Sequence, residues 1–272
     1  MFKDLLVKWV TELSNKFSSV GTSGFLSIGI ESFNSTLYGY VKGIMANVIL
    51  PVAYVILALF FVLELYKAST RVDGVGGGSS FGAEIIFKVM FRMVLCKVAV
   101  DSSLLFMEAI YSVGQNLING ISAVISSNLA VYNLNLNELI VEINNMNLGE
   151  QIGMLLELFI IKIAVTVIVG LIEVFCVGRF IQIYIYTAIS PIPIATFPSN
   201  ELSQIGKGFL KSFASICLQG VIIYLSLSFF PVLVNSNILG EIGLLGLLLY
   251  SLVLATSIFT SNKLAKSILN AM

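Results

Sequence analysis

Lys97, Asp101, Glu108, Glu157, Lys162 and Glu173 all lie inside runs of apolar residues, where an ionised side chain is costly. A charge at the centre of a membrane helix costs about 2.5–3.5 kcal/mol on insertion scales, so such residues are seldom idle. Lys97 and Asp101 are four residues apart and share a helix face, which lets them neutralise each other. Glu108 follows seven residues later, near the same face. Glu157 and Glu173 flank Lys162 at distances of five and eleven residues. Two roles fit: interhelical pairs, such as Lys97 with Glu157 or Lys162 with Asp101, or the lining of a hydrated conduit. The same inventory permits a proton route, but nothing in the spacing indicates one.

A second candidate site lies in Phe180–Phe197, where Ser190, Pro191 and Pro193 interrupt an apolar run. Irregular backbone at membrane depth persists only when buried in protein or lining water. Residues 190–195 are therefore expected to face other subunits or a cavity, rather than lipid. The glycine cluster after Asp73 invites a phosphate-loop reading, but there is no GxxxxGK[ST] and no preceding strand, so it reads as a flexible turn. Cys96, Cys176 and Cys217 form no CxxC pair and read as small buried hydrophobes. With no histidine in the chain, imidazole metal sites, Ser-His triads and His relays are all excluded. No catalytic, metal or cofactor site is expected, and the chain does not read as an enzyme.

These residues are carried by a sequence that is 57% hydrophobic and 11% charged over 272 residues, with a mean hydropathy of +0.98. A soluble domain has about a quarter of its residues charged. The expected fold is all-α and polytopic. Residues 1–42 form an extracytoplasmic segment with an amphipathic helix over 1–18, where Leu5, Leu6, Trp9, Val10, Leu13 and Phe17 make the apolar stripe. Such a helix rests in the headgroup layer or docks on a partner. A linker with a short helical piece occupies 19–39. The transmembrane domain, 43–272, is expected to hold five spans at about 43–66, 93–113, 153–178, 212–234 and 242–260. Tyr38, Tyr40 and Tyr66 serve as interface anchors, and Pro51 should kink the first span. The helix of the second span should run on past the membrane through Ile125, within an extracytoplasmic loop at 114–152. Residues 180–198 are expected to form a proline-broken re-entrant segment. No cleavable signal pattern is evident, so the first span should act as its own insertion signal.

Orientation follows from the cations. No Lys or Arg occurs between Lys97 and Lys162, or between Lys211 and Lys263. Cations accumulate in short cytoplasmic loops, so these gaps mark what has crossed the bilayer. An N-out, C-in arrangement puts Lys88, Arg92, Arg179, Lys207 and Lys211 on a cytoplasmic basic surface. The N-terminal lysines are the one clash with that rule.

The run RFIQIYIYTAISPIPIATFPSNELSQIGKGFLKSFASICLQG, from Arg179 to Gly220, resembles the TrbL-like (VirB-type) polytopic subunits of type IV secretion, especially the branch found in conjugative elements of Firmicutes. The carrying features are the arginine before an apolar stretch, Ser-Pro-x-Pro-x-Ala, Glu201, Gly-Lys-Gly-Phe-Leu-Lys and Leu-Gln-Gly. The resemblance implies a multi-pass protein of the bacterial plasma membrane in N-out, C-in topology, part of a DNA and protein translocation route. It also implies a homo-oligomeric ring that contacts secretion ATPases and other membrane subunits. Basic inner loops would meet DNA through transient, salt-sensitive phosphate contacts. A secondary transporter or small-solute channel is the alternative, but such folds show two related halves with matching broken helices. Only one broken segment is evident here. A holin-like lesion former would need fewer spans.

Overall fold

The computed structural model of the chain describes residues 4–9, 11–12, 28–75, 79–128, 147–199, 201–235 and 243–271. Within the expected N-terminal amphipathic helix, residues 4–9 and 11–12 are helical. The remainder of that helix lies outside the described residues, as do residues 129–146, glycines 76–78 and all but Asn235 of the polar turn Asn235–Glu241 expected between the last two spans.

Every other described element is also helical: α1 (Ile30–Phe33), α2 (Ser35–Ile44), a π-helical turn (Met45–Ile49), α3 (Leu50–Val75), α4 (Ser79–Asp101), α5 (Ser103–Asn128), α6 (Leu148–Ile189), α7 (Pro191–Ile194), α8 (Ser203–Asn235) and α9 (Gly243–Leu269). Helical structure thus begins well before the expected linker ends. Asn34 separates α1 from α2 and caps the latter, its Oδ1 accepting the Leu37 N–H at 2.9 Å. At the other end, Asn270 takes a left-handed φ of 46°, and the Ala271 N–H bonds the Lys266 carbonyl at 2.9 Å, closing α9 with a Schellman turn.

Pro51 has no N–H and its ring would crowd the carbonyl of Asn47. The chain widens ahead of it, with the Leu50 N–H reaching back five residues to the Met45 carbonyl. The distortion expected at Pro51 is therefore taken up as a π-helical turn, one recognised way of relieving a helix.

Four helical stretches among the described residues are long and apolar enough to cross a membrane: Ser35–Thr70, Gly149–Ile189, Ser203–Phe230 and Leu248–Leu269. The fifth expected span, 93–113, is not among them. It straddles the junction of α4 and α5 at Ser102, where hydrogen bonds continue (Ser102 N–H to Val98 O at 2.9 Å, Phe106 N–H to Ser102 O at 3.1 Å) around a serine pair. Beyond that junction α5 runs to Asn128, as the helical period through Ile125 requires.

The boundary expected after residue 178 also differs. α6 is one helix of 42 residues, because nothing from Arg179 to Ile189 breaks it. Irregular backbone is confined to the segment after Ile189, where Pro191 and Pro193 fall. Residues 180–189 therefore belong to α6 rather than to a separate re-entrant piece.

The chain divides into two compact units. One comprises residues 1–28, 114–179 and 218–265. Its core takes Ile161, Val165, Ile168 and Ile172 from α6, residues spaced to share one helix face, together with Ile223 and Leu227 of α8 and Leu254 and Ile258 of α9. The second unit comprises residues 29–113, 180–217 and 266–272. Phe180 and Phe213 are fully buried there, and Phe33 stacks on Phe180 with centroids 4.0 Å apart. A smaller cluster in the same unit joins Ala53 and Leu57 of α3, Cys96 and Val100 of α4, and Ile194 and Ala195 of the proline turn.

Candidate functional site

Within the second unit, the proline turn is held from several sides. The Ser190 hydroxyl donates to the Thr187 carbonyl at 2.9 Å, and the Thr196 hydroxyl to the Pro193 carbonyl at 2.7 Å. Successive N–H groups of Thr196, Phe197 and Ser199 find the carbonyls of Pro193, Ile194 and Thr196 at 3.1–3.2 Å. The backbone is thus satisfied locally where helix bonds stop. Ser190 and Pro191 are buried and Pro193 half-buried. α7 packs against α3 and α4, so this segment is covered by its own chain, which meets the demand that such backbone avoid lipid.

Two cations brace the turn. Arg92 donates from Nη2 to the Phe197 carbonyl at 3.1 Å. Lys67 reaches Glu201 at 2.8 Å and lies 3.8 Å from Glu64. The Lys67 hydrogen bond, with the lysine charge, holds the Glu201 carboxyl below the usual carboxylate range. Gly206, on the first turn of α8, makes the fit possible: a Cβ there would lie 2.5 Å from Phe197 Cε1 and 2.7 Å from the Pro193 carbonyl oxygen. The roles of Lys67, Glu201 and Gly206 were not legible in the sequence, because their partners lie far along the chain.

The charges set within apolar runs resolve into separate groups. Lys97 bonds Asp101 Oδ2 at 2.9 Å, the within-helix pairing that the four-residue spacing allows. Asp101 Oδ1 accepts from the Tyr54 hydroxyl at 2.6 Å, a partner that sequence reasoning passed over. Glu108 accepts a hydrogen bond from the hydroxyl of Tyr38, whose ring also lies under Lys42 Nζ at 4.3 Å. Tyr38 is therefore buried, not an interface anchor, while Tyr40 and Tyr66 are exposed.

In the first unit, Lys162 pairs with Glu12 at 2.6 Å and lies 5.0 Å from the Trp9 ring centroid. Trp9 packs on Phe159 with centroids 6.0 Å apart. The N-terminal helix thus docks on α6 and supplies the counter-charge for its lysine. Lys97 and Lys162 take these partners in place of the two interhelical pairings considered above. Among the described residues, Glu157 and Glu173 join no ion pair; Glu157 is half-buried and Glu173 exposed.

The Lys162 arrangement has a measurable consequence. Glu12→Gln should destabilise the protein by about 1–2 kcal/mol, less than the full membrane-centre cost because both side chains are partly open. Lys162→Met should erase that penalty, since no cation is then left to compensate. Thermal melting of the detergent-solubilised chain reads both variants; simple additivity would rule out the pairing.

Of the expected basic surface, Lys88, Lys207 and Lys211 are exposed. Lys88 pairs with Glu84 at 2.6 Å, and that hydrogen bond lowers the Glu84 carboxyl. Arg92 is turned to the Phe197 carbonyl. Arg179 does not belong to any surface, being only 2% exposed. Its guanidinium occupies the space beside Gly220 that a Cβ would fill. The positive charge suggested a loop, but the uninterrupted α6 carries the residue into a helix–helix contact instead.

Comparison with the curated proteins and with the solved structures finds no match. One family model does match, over residues 18–191, and describes a TrbL/VirB6 plasmid conjugal transfer like protein. It spans α1–α6 and reaches Pro191, so it takes in only the first part of the 179–220 run in which the resemblance was read. With well over half of the sequence matched and an all-helical, multi-span architecture around a proline-broken turn, the chain belongs to the TrbL/VirB6 plasmid conjugal transfer-like family.

Proposed function

We propose that the protein is a structural, channel-forming subunit of a conjugative type IV secretion apparatus in the bacterial plasma membrane, contributing to the path of DNA and protein. It works without catalysing a reaction, as a homo-oligomeric ring beside other membrane subunits and the secretion ATPases. It sits N-out and C-in, with residues 1–42 and 114–152 on the outer side, the N-terminal helix reaching α6 there through Glu12 and Trp9. The exposed Lys207 and Lys211 give it a basic inner face for passing contacts with phosphate.

Family membership is the observation that carries this reading. Four helices long and apolar enough to cross a membrane support it, one of them carrying the paired Lys162. Deleting the chain should abolish plasmid transfer while growth and uptake of labelled solutes stay unchanged. Normal transfer together with a defect confined to one nutrient would sink the proposal and favour a solute transporter.

A further inference from the structure

The Tyr54–Asp101–Lys97 network lies on the outside of its unit. Lys97 is 62% exposed at its side chain and Asp101 38%, while Tyr54 is 38% exposed overall. Its depth follows from α3 and the turns before it. Between Lys42 and Glu64 lie 21 uncharged residues. At 1.5 Å per residue this run is about 32 Å long, close to the ~30 Å of bilayer hydrocarbon. Tyr54 is twelve residues from Lys42 and ten from Glu64, near the middle. A lysine and an aspartate are thus displayed outward at mid-depth.

We infer that the face of α3 and α4 around Tyr54, Asp101 and Lys97 borders water inside the membrane, as one wall of the translocation path. Lipid is a poor neighbour, because snorkelling relieves lysines near helix ends and not at the middle of a span. A packed protein helix is also a poor one. The ammonium has three N–H groups and gives one to Asp101, so a dry cover would strip hydration from the rest at several kcal/mol per ion. Water supplies those partners without cost.

α4 points the same way. It carries Glu84, Lys88, Arg92, Lys97 and Asp101, and it is not among the stretches of the described residues apolar enough to cross a membrane, whereas Leu50–Thr70 of α3 belongs to one. A helix wetted along one side has no need to be apolar all round. The network is also neutral overall. A conduit must hold its cargo weakly enough to release it, and a closed Lys–Asp–Tyr group offers polarity without a fixed charge.

What the water serves rests on the proposed role in transfer, but the accessibility itself does not. Ala58 and Val94 are exposed, one helical turn from Tyr54 and from Lys97 respectively; Val52 is exposed on the opposite side of α3 at nearly the same depth. Single cysteines at these positions, in a chain whose three native cysteines are replaced by alanine, would be treated with a charged methanethiosulfonate. The full chain would be used with its apparatus, in membranes opened to both sides. Only the thiolate reacts, so Ala58→Cys and Val94→Cys should react within about tenfold of Lys207→Cys, and Val52→Cys about a hundredfold more slowly. Val98→Cys substitutes for either variant that fails to accumulate. Reaction at these positions with an uncharged maleimide alone would place them in lipid; no reaction with either reagent would place them under protein. Both results overturn the inference. Transfer frequency of the deletion strain, scored in parallel, tests the proposed role independently of the labelling.

Discussion

Replacing Gly220 with alanine is expected to destabilise the protein by about 1–3 kcal/mol, the range for overpacking a buried contact. At an unobstructed position within a helix the same change stabilises by about 1 kcal/mol, so the sign alone is diagnostic. A methyl group at Gly220 would overlap the guanidinium of Arg179. Arg179 is 2% exposed, so its guanidinium must leave a buried seat to make room. Shortening the intruder should restore the fit: Arg179→Met combined with Gly220→Ala should recover most of the loss. Melting of the purified chain in detergent would show strong non-additivity, as contacting residues require. A Gly220→Ala protein as stable as the parent would mean that the guanidinium lies elsewhere.

Gly206 and Gly208 should respond oppositely to the same substitution. At Gly206 a Cβ would meet Phe197 Cε1 at 2.5 Å, the Pro193 carbonyl oxygen at 2.7 Å and Phe197 Cδ1 at 2.9 Å. The phenyl ring can swing, but the carbonyl belongs to a proline-fixed turn and cannot retreat far. Gly206→Ala is expected to cost about 2–3 kcal/mol by overpacking, and to lower plasmid transfer by loosening the turn from α8. At Gly208 nothing lies within 4 Å, so alanine there should gain up to about 1 kcal/mol and leave transfer intact. Equal behaviour of the two variants would argue against close packing at the turn.

These glycines show how far the sequence could be read. Gly206, Gly208 and Gly220 are the same residue on one helix, and only three-dimensional packing separates a required hydrogen from an optional one. Local features were legible: the Lys97–Asp101 pair sits at helical spacing, the apolar runs of α3, α6, α8 and α9 announce their helices, and the prolines locate the break after Ile189. Partners distant in sequence were not. Lys162 finds Glu12 across 150 positions, and Lys67 finds Glu201 across 134. Nothing in either residue's neighbourhood encodes that choice. Arg179 misled because a cation beside an apolar run usually marks a loop, whereas here the helix continues through it.

The length of α6 constrains how the protein can sit in a bilayer. Its 42 residues make a rod about 63 Å long, twice the hydrocarbon thickness. Even a steep lean of 40° leaves about 48 Å along the bilayer normal. Ile152, Ile160, Val167, Val174 and Ile185 stand bare at intervals along that rod. From Ile152 to Ile185 is about 50 Å, and a lean of up to 40° still leaves about 38 Å, so within the usual range of tilt some of them stand beyond the ~30 Å of hydrocarbon. A rod of that length carries its helix from the oil through the headgroup layer and beyond it, so α6 links the membrane interior to what lies past its surface.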